Sequence, residues 1–173
     1  MSGDRERDLL QDWFRRRTRY GEIVVIIHAS IPADDPERVA RVIAELWRGT
    51  YFAFPVLPGV FTARAGDDRG TQIEVGPRGQ EAMPGEAQVR PRLNPSPSSY
   101  SEVHLNILSP LREREILEIA QREGWIALPC DRGGAFKLIE FWLENKFMLE
   151  VMNAEEWGRY KAWDRSVALP QGR

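Results

Sequence analysis

Four residues stand out by chemical type and spacing. His28 and His104 are the only histidines in the chain, and each lies in an apolar run, Val24-Val-Ile-Ile27 before the first and Val103 and Leu105 around the second. A glutamate follows each histidine 46 positions later: Glu74 in Thr71-Gln-Ile-Glu74-Val75 and Glu150 in Phe147-Met-Leu-Glu150-Val151. The histidines (104 − 28) and the glutamates (150 − 74) are thus both 76 apart. A carboxylate inside an apolar strand is costly unless it is paired or bound to a metal. Two imidazoles and two carboxylates converging on a pseudo-twofold axis make a mixed N/O donor set. Such a set suits zinc, nickel, cobalt, manganese or iron(II), with room for water or a small-molecule substrate. The same residues could instead form two bare His–Glu ion pairs within the core.

The elements that must carry these residues repeat as well. Alternation along a strand puts Val103, Leu105 and Ile107 on one face and Glu102, His104 and Asn106 on the other; Glu150 opposes Leu149 and Val151 in the same way. The first module, residues 22–76, reads as strand Glu22–Ile31, a helix starting at Asp34-Asp35-Pro36, and strands Tyr51–Leu57, Val60–Ala65 and Thr71–Val75. Its helix places Val39, Val42, Ile43, Leu46 and Trp47 on one stripe, and Gly49 stops it. The second module, residues 100–153, repeats the order. Strand Tyr100–Leu108 leads to a helix opened by Ser109-Pro110 with Leu111, Ile116, Ile119 and Ala120 inward, stopped by Gly124. Strands Ile126–Cys130, Phe136–Leu143 and Lys146–Met152 follow, turned at Asp131-Arg-Gly-Gly134 and Glu144-Asn145. A repeat of this size predicts two copies of one supersecondary unit in an α+β fold. Residues 1–21 read as a helical arm bearing Leu9, Leu10, Trp13 and Phe14. Residues 77–99, rich in proline, read as a linker with little regular structure, and 154–173 as a closing helix and tail with Trp157, Tyr160 and Trp163 inward.

Composition narrows the function classes. At 42% apolar and 29% charged the chain is of ordinary globular type, and 24 basic against 26 acidic residues leave no broad basic face for a phosphate backbone. Nucleic acid is therefore not an expected partner. Arg15-Arg-Arg17 reads as a solvated helix end. No apolar run reaches the ~18 residues needed to span a bilayer, and the charged N-terminus lacks a signal-peptide core, so no membrane partner is expected and the cytoplasm is the expected compartment. The single cysteine, Cys130, reads as a bystander rather than a nucleophile.

Two consecutive strand–helix–strand–strand–strand modules, with His in the first strand and Glu in the last of each, resemble the vicinal oxygen chelate superfamily, which includes glyoxalase I, methylmalonyl-CoA epimerase, extradiol dioxygenases and the fosfomycin and bleomycin resistance proteins. The resemblance covers Glu22 to about Asn153. It implies two curled half-sheets closing around a divalent metal held by His28, Glu74, His104 and Glu150, with Glu150 or Glu74 serving as catalytic base. The implied chemistry is of the lyase, isomerase or epimerase type: enediolate-forming proton transfer on an oxygenated small molecule chelated to the metal. The resemblance also admits a metal-free drug-sequestering protein and an iron(II) extradiol-type dioxygenase, as well as a homodimer in which modules are exchanged. Phe52, Phe54, Arg64, Glu140 and Trp142 are candidate cavity residues. Arg64 and Glu140, again 76 apart, are candidates to face each other across the axis.

Overall fold

The computed structural model describes residues 26–86 and 89–168; the helical arm, the start of the first predicted strand and the tail beyond 168 lie outside the described residues. The order is β1 (His28–Ala33), α1 (Pro36–Trp47), β2 (Thr50–Ala53), β3 (Phe61–Arg64), β4 (Gln72–Pro77), β5 (Gln80–Met83), β6 (Arg90–Leu93), β7 (Leu105–Leu108), α2 (Glu113–Glu123), β8 (Ala127–Asp131), β9 (Lys137–Leu143), β10 (Phe147–Met152) and α3 (Ala154–Ala168). Two four-stranded sheets share one plan, β1-β4-β3-β2 and β7-β10-β9-β8, with the first pair of each parallel and the rest antiparallel. This is the α+β paired-module fold expected.

Local chemistry accounts for the elements. The Asp35 carboxylate accepts the Arg38 amide at 3.1 Å, and Pro36 fits the first turn, where an amide would be unpaired anyway. The stripe Val39, Val42, Ile43, Leu46 and Trp47 is buried, each fully buried side chain contributing roughly 1.5–3 kcal/mol. Arg48 closes α1 in the left-handed region (φ 52°), and a Cβ on Gly49 would lie 2.0 Å from the Arg64 carbonyl oxygen. Gly49 therefore allows a close backbone crossing just after the αL cap. Gly124 caps α2 at φ 71°.

Several boundaries depart from the sequence reading. Ile26 and Ile27 are exposed and outside β1, whose partner β4 begins at Gln72 opposite His28, and His104 precedes β7, although β10 extends two residues further, to Phe147. Ser109 does not cap α2, which starts at Glu113. Its buried hydroxyl instead donates to the Leu46 carbonyl in the other module and accepts the Leu111 amide. The stretch 77–99 carries a small antiparallel sheet, β5 with β6, tied by Arg92 and Asn94 to the Glu81 carboxylate.

One core spans both modules. The inner faces, Ile31, Ile73, Val75 and Ala63 in the first sheet and Ile107, Leu149, Val151, Ile139 and Phe141 in the second, join α1 and α2 in a single cluster. Ion pairs seal the same junction: Glu123 at the end of α2 takes Arg38 Nε at 2.8 Å and Arg41 Nη2 at 3.0 Å from α1, and Arg122 reaches Glu45. Since each sheet turns its inner face to this shared core, each turns its opposite face outward. Among the described residues the two half-sheets are separate, with no strand of one paired to a strand of the other.

Candidate functional site

The outer face of the first sheet carries His28, Ser30, Gln72, Glu74, Thr62 and Arg64, by strand alternation and by the registers Ser30↔Glu74, Thr62↔Glu74 and Arg64↔Gln72. The Ser30 hydroxyl donates to Glu74 Oε2 at 3.2 Å. Thr62 is buried at 1% exposure, and its hydroxyl finds no hydrogen-bond partner among the described residues. Arg64 lies over the Phe52 ring at 5.4 Å.

The second sheet repeats the arrangement with different side chains. Asn106↔Glu150↔Glu140 is the row equivalent to Ser30↔Glu74↔Thr62. Asn106 Nδ2 donates to Glu150 Oε2 at 3.2 Å, and His104 Nε2 lies 3.9 Å from the same oxygen. Arg132, from the hairpin between β8 and β9, donates through Nη2 to Oε1 of both Glu140 and Glu150 at 2.9 Å. These two carboxylates raise the Arg132 pKa, so the guanidinium stays charged. Further along the same face α3 covers Leu138 and Met152, with Phe136, Trp157 and Tyr160 in the contact. The Tyr160 ring meets Phe136 edge-on at 5.1 Å.

Within one chain the four sequence-chosen residues therefore fall into two pairs on separate sheets, His28 with Glu74 and His104 with Glu150. Among the described residues no group of three or more His, Cys, Asp or Glu side chains is placed to hold a metal ion. Arg64 does not occupy the position equivalent to Glu140. The register gives that place to Thr62, because the turn between β3 and β4 is longer than the Glu144-Asn145 turn of the second module. Ser30, Thr62, Asn106 and Arg132 were not singled out from sequence. Ser30 and Asn106 share the 76-residue offset of the histidines and could have been found by it; Arg132 looked like a turn residue.

The donor chemistry tests what the halves could hold. Two ligands on one ion at ~2.1 Å lie at most about 4.2 Å apart, so the His104–Glu150 separation fits a shared ion. The orphaned Thr62 hydroxyl beside Glu74 marks an unfilled polar position in the other half. Only the His104–Glu150 pair has a separation compatible with two ligands on one ion, and neither pair forms a three-ligand set among the described residues. Elsewhere, a cavity of about 390 Å³ lies between α2, β8, β9 and α3, lined by Ile116, Cys130, Lys137, Asn153 and Glu156 among others. Burial, with the Glu140 carboxylate, pushes the Cys130 thiol up, away from the nucleophilic thiolate. No helix among the described residues is long and apolar enough to cross a membrane.

Paired βαβββ modules, with the last strand of each laid parallel to the first, define a protein of the vicinal oxygen chelate fold. No family model matches the chain, and no curated protein matches it in sequence. Among solved structures it is similar to the lactoylglutathione lyase of Agrobacterium tumefaciens, at 14% identity over 79% of this chain and 98% of that one, with a TM-score of 0.53. It is also similar to a protein assigned to the glyoxalase family from Bacillus anthracis, at 14% identity over 77% and 97%, with a TM-score of 0.51. At such identity the likeness is one of fold.

Proposed function

We propose that two copies of this chain pair so that His28 and Glu74 of one copy meet His104 and Glu150 of the other around a divalent metal ion, and that the site moves a proton at a carbon beside a carbonyl in a small oxygenated molecule. The observation that carries this reading is the matched pair of half-sites: Glu74 and Glu150 stand in equivalent registers opposite Ser30 and Asn106, and in each module a His lies two residues before that partner, at the start of β1 and just ahead of β7. Exposed apolar side chains beside the halves, Phe52, Leu108 and Leu128, support a covered rather than a wet face. A bound divalent ion supplies Lewis acidity toward the substrate oxygens. The chain's own residues divide the remaining work. Glu74, whose partner among the described residues is one neutral hydroxyl, is free to turn and accept the proton. Glu150, fixed by Arg132 and Asn106, serves as the anchored carboxylate. Trp157 and Tyr160 on α3 wall one end of the face.

Elemental analysis of protein purified without chelator tests the reading, together with deuterium uptake from heavy water by a panel of 2-hydroxycarbonyl compounds. Bound metal that is lost in E74A, with exchange in the same samples, supports it; metal-free wild type that catalyses no exchange ends it. A metal-free small-molecule binding protein is the second reading, favoured by the guanidinium already seated on Glu150.

A further inference from the structure

The arginines of the two outer faces are used differently. On the second sheet Arg132 is taken up by Glu140 and Glu150, at 2.9 Å each. On the first, Arg64 projects from β3 and forms no ion pair among the described residues. Its one side-chain hydrogen bond there runs from Nη2 to Gln72 Oε1 at a long 3.4 Å, and its central carbon lies over the Phe52 ring, 5.4 Å from the ring centre. A guanidinium held by its face keeps the N–H groups along its edge for other partners. Arg64 and Phe52 are both exposed, so a ligand can reach them. Gln72 stands opposite Arg64, and Glu74 follows Gln72 by two residues on the same face. Diagonal neighbours of this kind lie ~7–8 Å apart across a strand pair. The second face has no counterpart, because the register gives Trp142 the place equivalent to Arg64.

We infer that Arg64 anchors an anionic group, a carboxylate or a phosphate, on the small molecule that this face takes up. The inference rests on the reading of the outer face as a small-molecule site and needs no metal. Two oxygens of either anion match the N–H fork of a guanidinium, and such charge-assisted pairs are among the strongest hydrogen bonds. The spacing also bounds the ligand. An oxyanion at the tip of Arg64 lies a few bonds from a carbon that faces Glu74, which puts the anionic group within roughly one to three carbons of the reacting centre. Glu74 does not forbid this: across that distance, on an exposed face, its charge repels a bound anion weakly, whereas the guanidinium touches it. Phe52 keeps Arg64 over the face and offers the carbon skeleton an apolar wall. Arg64 thereby sets specificity, admitting anionic hydroxycarbonyl compounds ahead of neutral ones of the same shape.

The test titrates three matched probes, neutral dihydroxyacetone, its monophosphate and hydroxypyruvate, into full-length protein passed over chelating resin, with ligand-observed NMR as the readout and circular dichroism as the folding control. The two charged probes tell phosphate from carboxylate. Wild type is expected to bind at least one of them about tenfold tighter than dihydroxyacetone. That preference should vanish in R64Q and R64A and return in part in R64K, which keeps the charge but not the fork. It should be unchanged in R114Q, which removes an arginine 86% exposed on α2. Two neutral substitutions keep the test alive if one of them misfolds. No anion preference in wild type, a preference that survives R64Q and R64A, or one lost equally in R114Q overturns the inference. Proton exchange of the same probes in heavy water, with divalent metal restored, reports on the proton-transfer reading separately. Absent exchange with anion binding that depends on Arg64 ends that reading and leaves the anchor; exchange without any anion preference does the reverse.

Discussion

Replacing Glu123 with glutamine removes the charge that joins the two modules. Glu123 lies at the C-terminal end of α2, where the helix dipole disfavours an acid, and its side chain is only 5% exposed. Burial alone would raise its pKa. The guanidinium groups of Arg38, Arg122 and Arg41, at 2.8, 2.8 and 3.0 Å, more than reverse this and hold it at about 2 against an ordinary 4.5. At roughly 1.4 kcal/mol per pH unit that difference amounts to about 3.4 kcal/mol. The three arginines are 39–49% exposed, so solvent screening brings the expected contribution down to roughly 2 kcal/mol. A pKa depressed in the folded state stabilises above the unfolded value, and the stability drains away as pH falls from about 4.5 toward about 2. Urea melts of wild type and E123Q across this range provide the assay. Asp34, Glu45 and Glu115 are also depressed by their basic or amide partners, so wild type alone loses stability in acid for several reasons, and only the difference between the two proteins isolates Glu123. The expected gap is roughly 2 kcal/mol at pH 7, closing as Glu123 protonates. A gap that is absent at neutral pH, or that persists unchanged into acid, would refute the reasoning.

Three further outcomes are expected. G49A places a Cβ 2.0 Å from the Arg64 carbonyl oxygen and forces the crossing of α1 and β3 apart, at a cost of about 1–3 kcal/mol or more in thermal or urea melts. S109A orphans the Leu46 carbonyl and the Leu111 amide at the module junction, for a loss of about 1–3 kcal/mol; S109T, which keeps the hydroxyl, should recover part of it. F141A empties a fully buried site that contacts Trp125 edge-on at 6.1 Å and should cost about 3–5 kcal/mol by the same measurement.

The residues that carried the sequence reading were those whose spacing repeats. The stripe of α1, the Gly124 cap and the alternation around Glu74 and Glu150 follow from local rules, and each is present in the fold. Strand starts were less legible. Ile26 and Ile27 have β-forming side chains, but β1 begins where its partner β4 begins, and that information lies some 45 residues away at Gln72. Arg132 was hidden for a related reason: a turn sequence shows the backbone path and not where a long side chain folds back. Glu123 looked like any surface acid on an α2 rich in charge, and only the packing of α1 against α2 supplies its three partners. The proline-rich stretch hid β5 and β6, because a two-stranded sheet leaves Pro91 an open side where its missing amide costs nothing.

The most direct test of the account mixes two disabled chains. E74A removes a ligand from the first half-site and E150A one from the second, so each variant alone should lose its metal. In a twofold pair that exchanges halves, one site of the mixed dimer is intact, drawing Glu74 from the E150A chain and Glu150 from the E74A chain. Equal amounts allowed to exchange subunits should then regain about a quarter of the wild-type metal content. Recovery no greater than the sum of the separate variants would contradict a site shared between two copies.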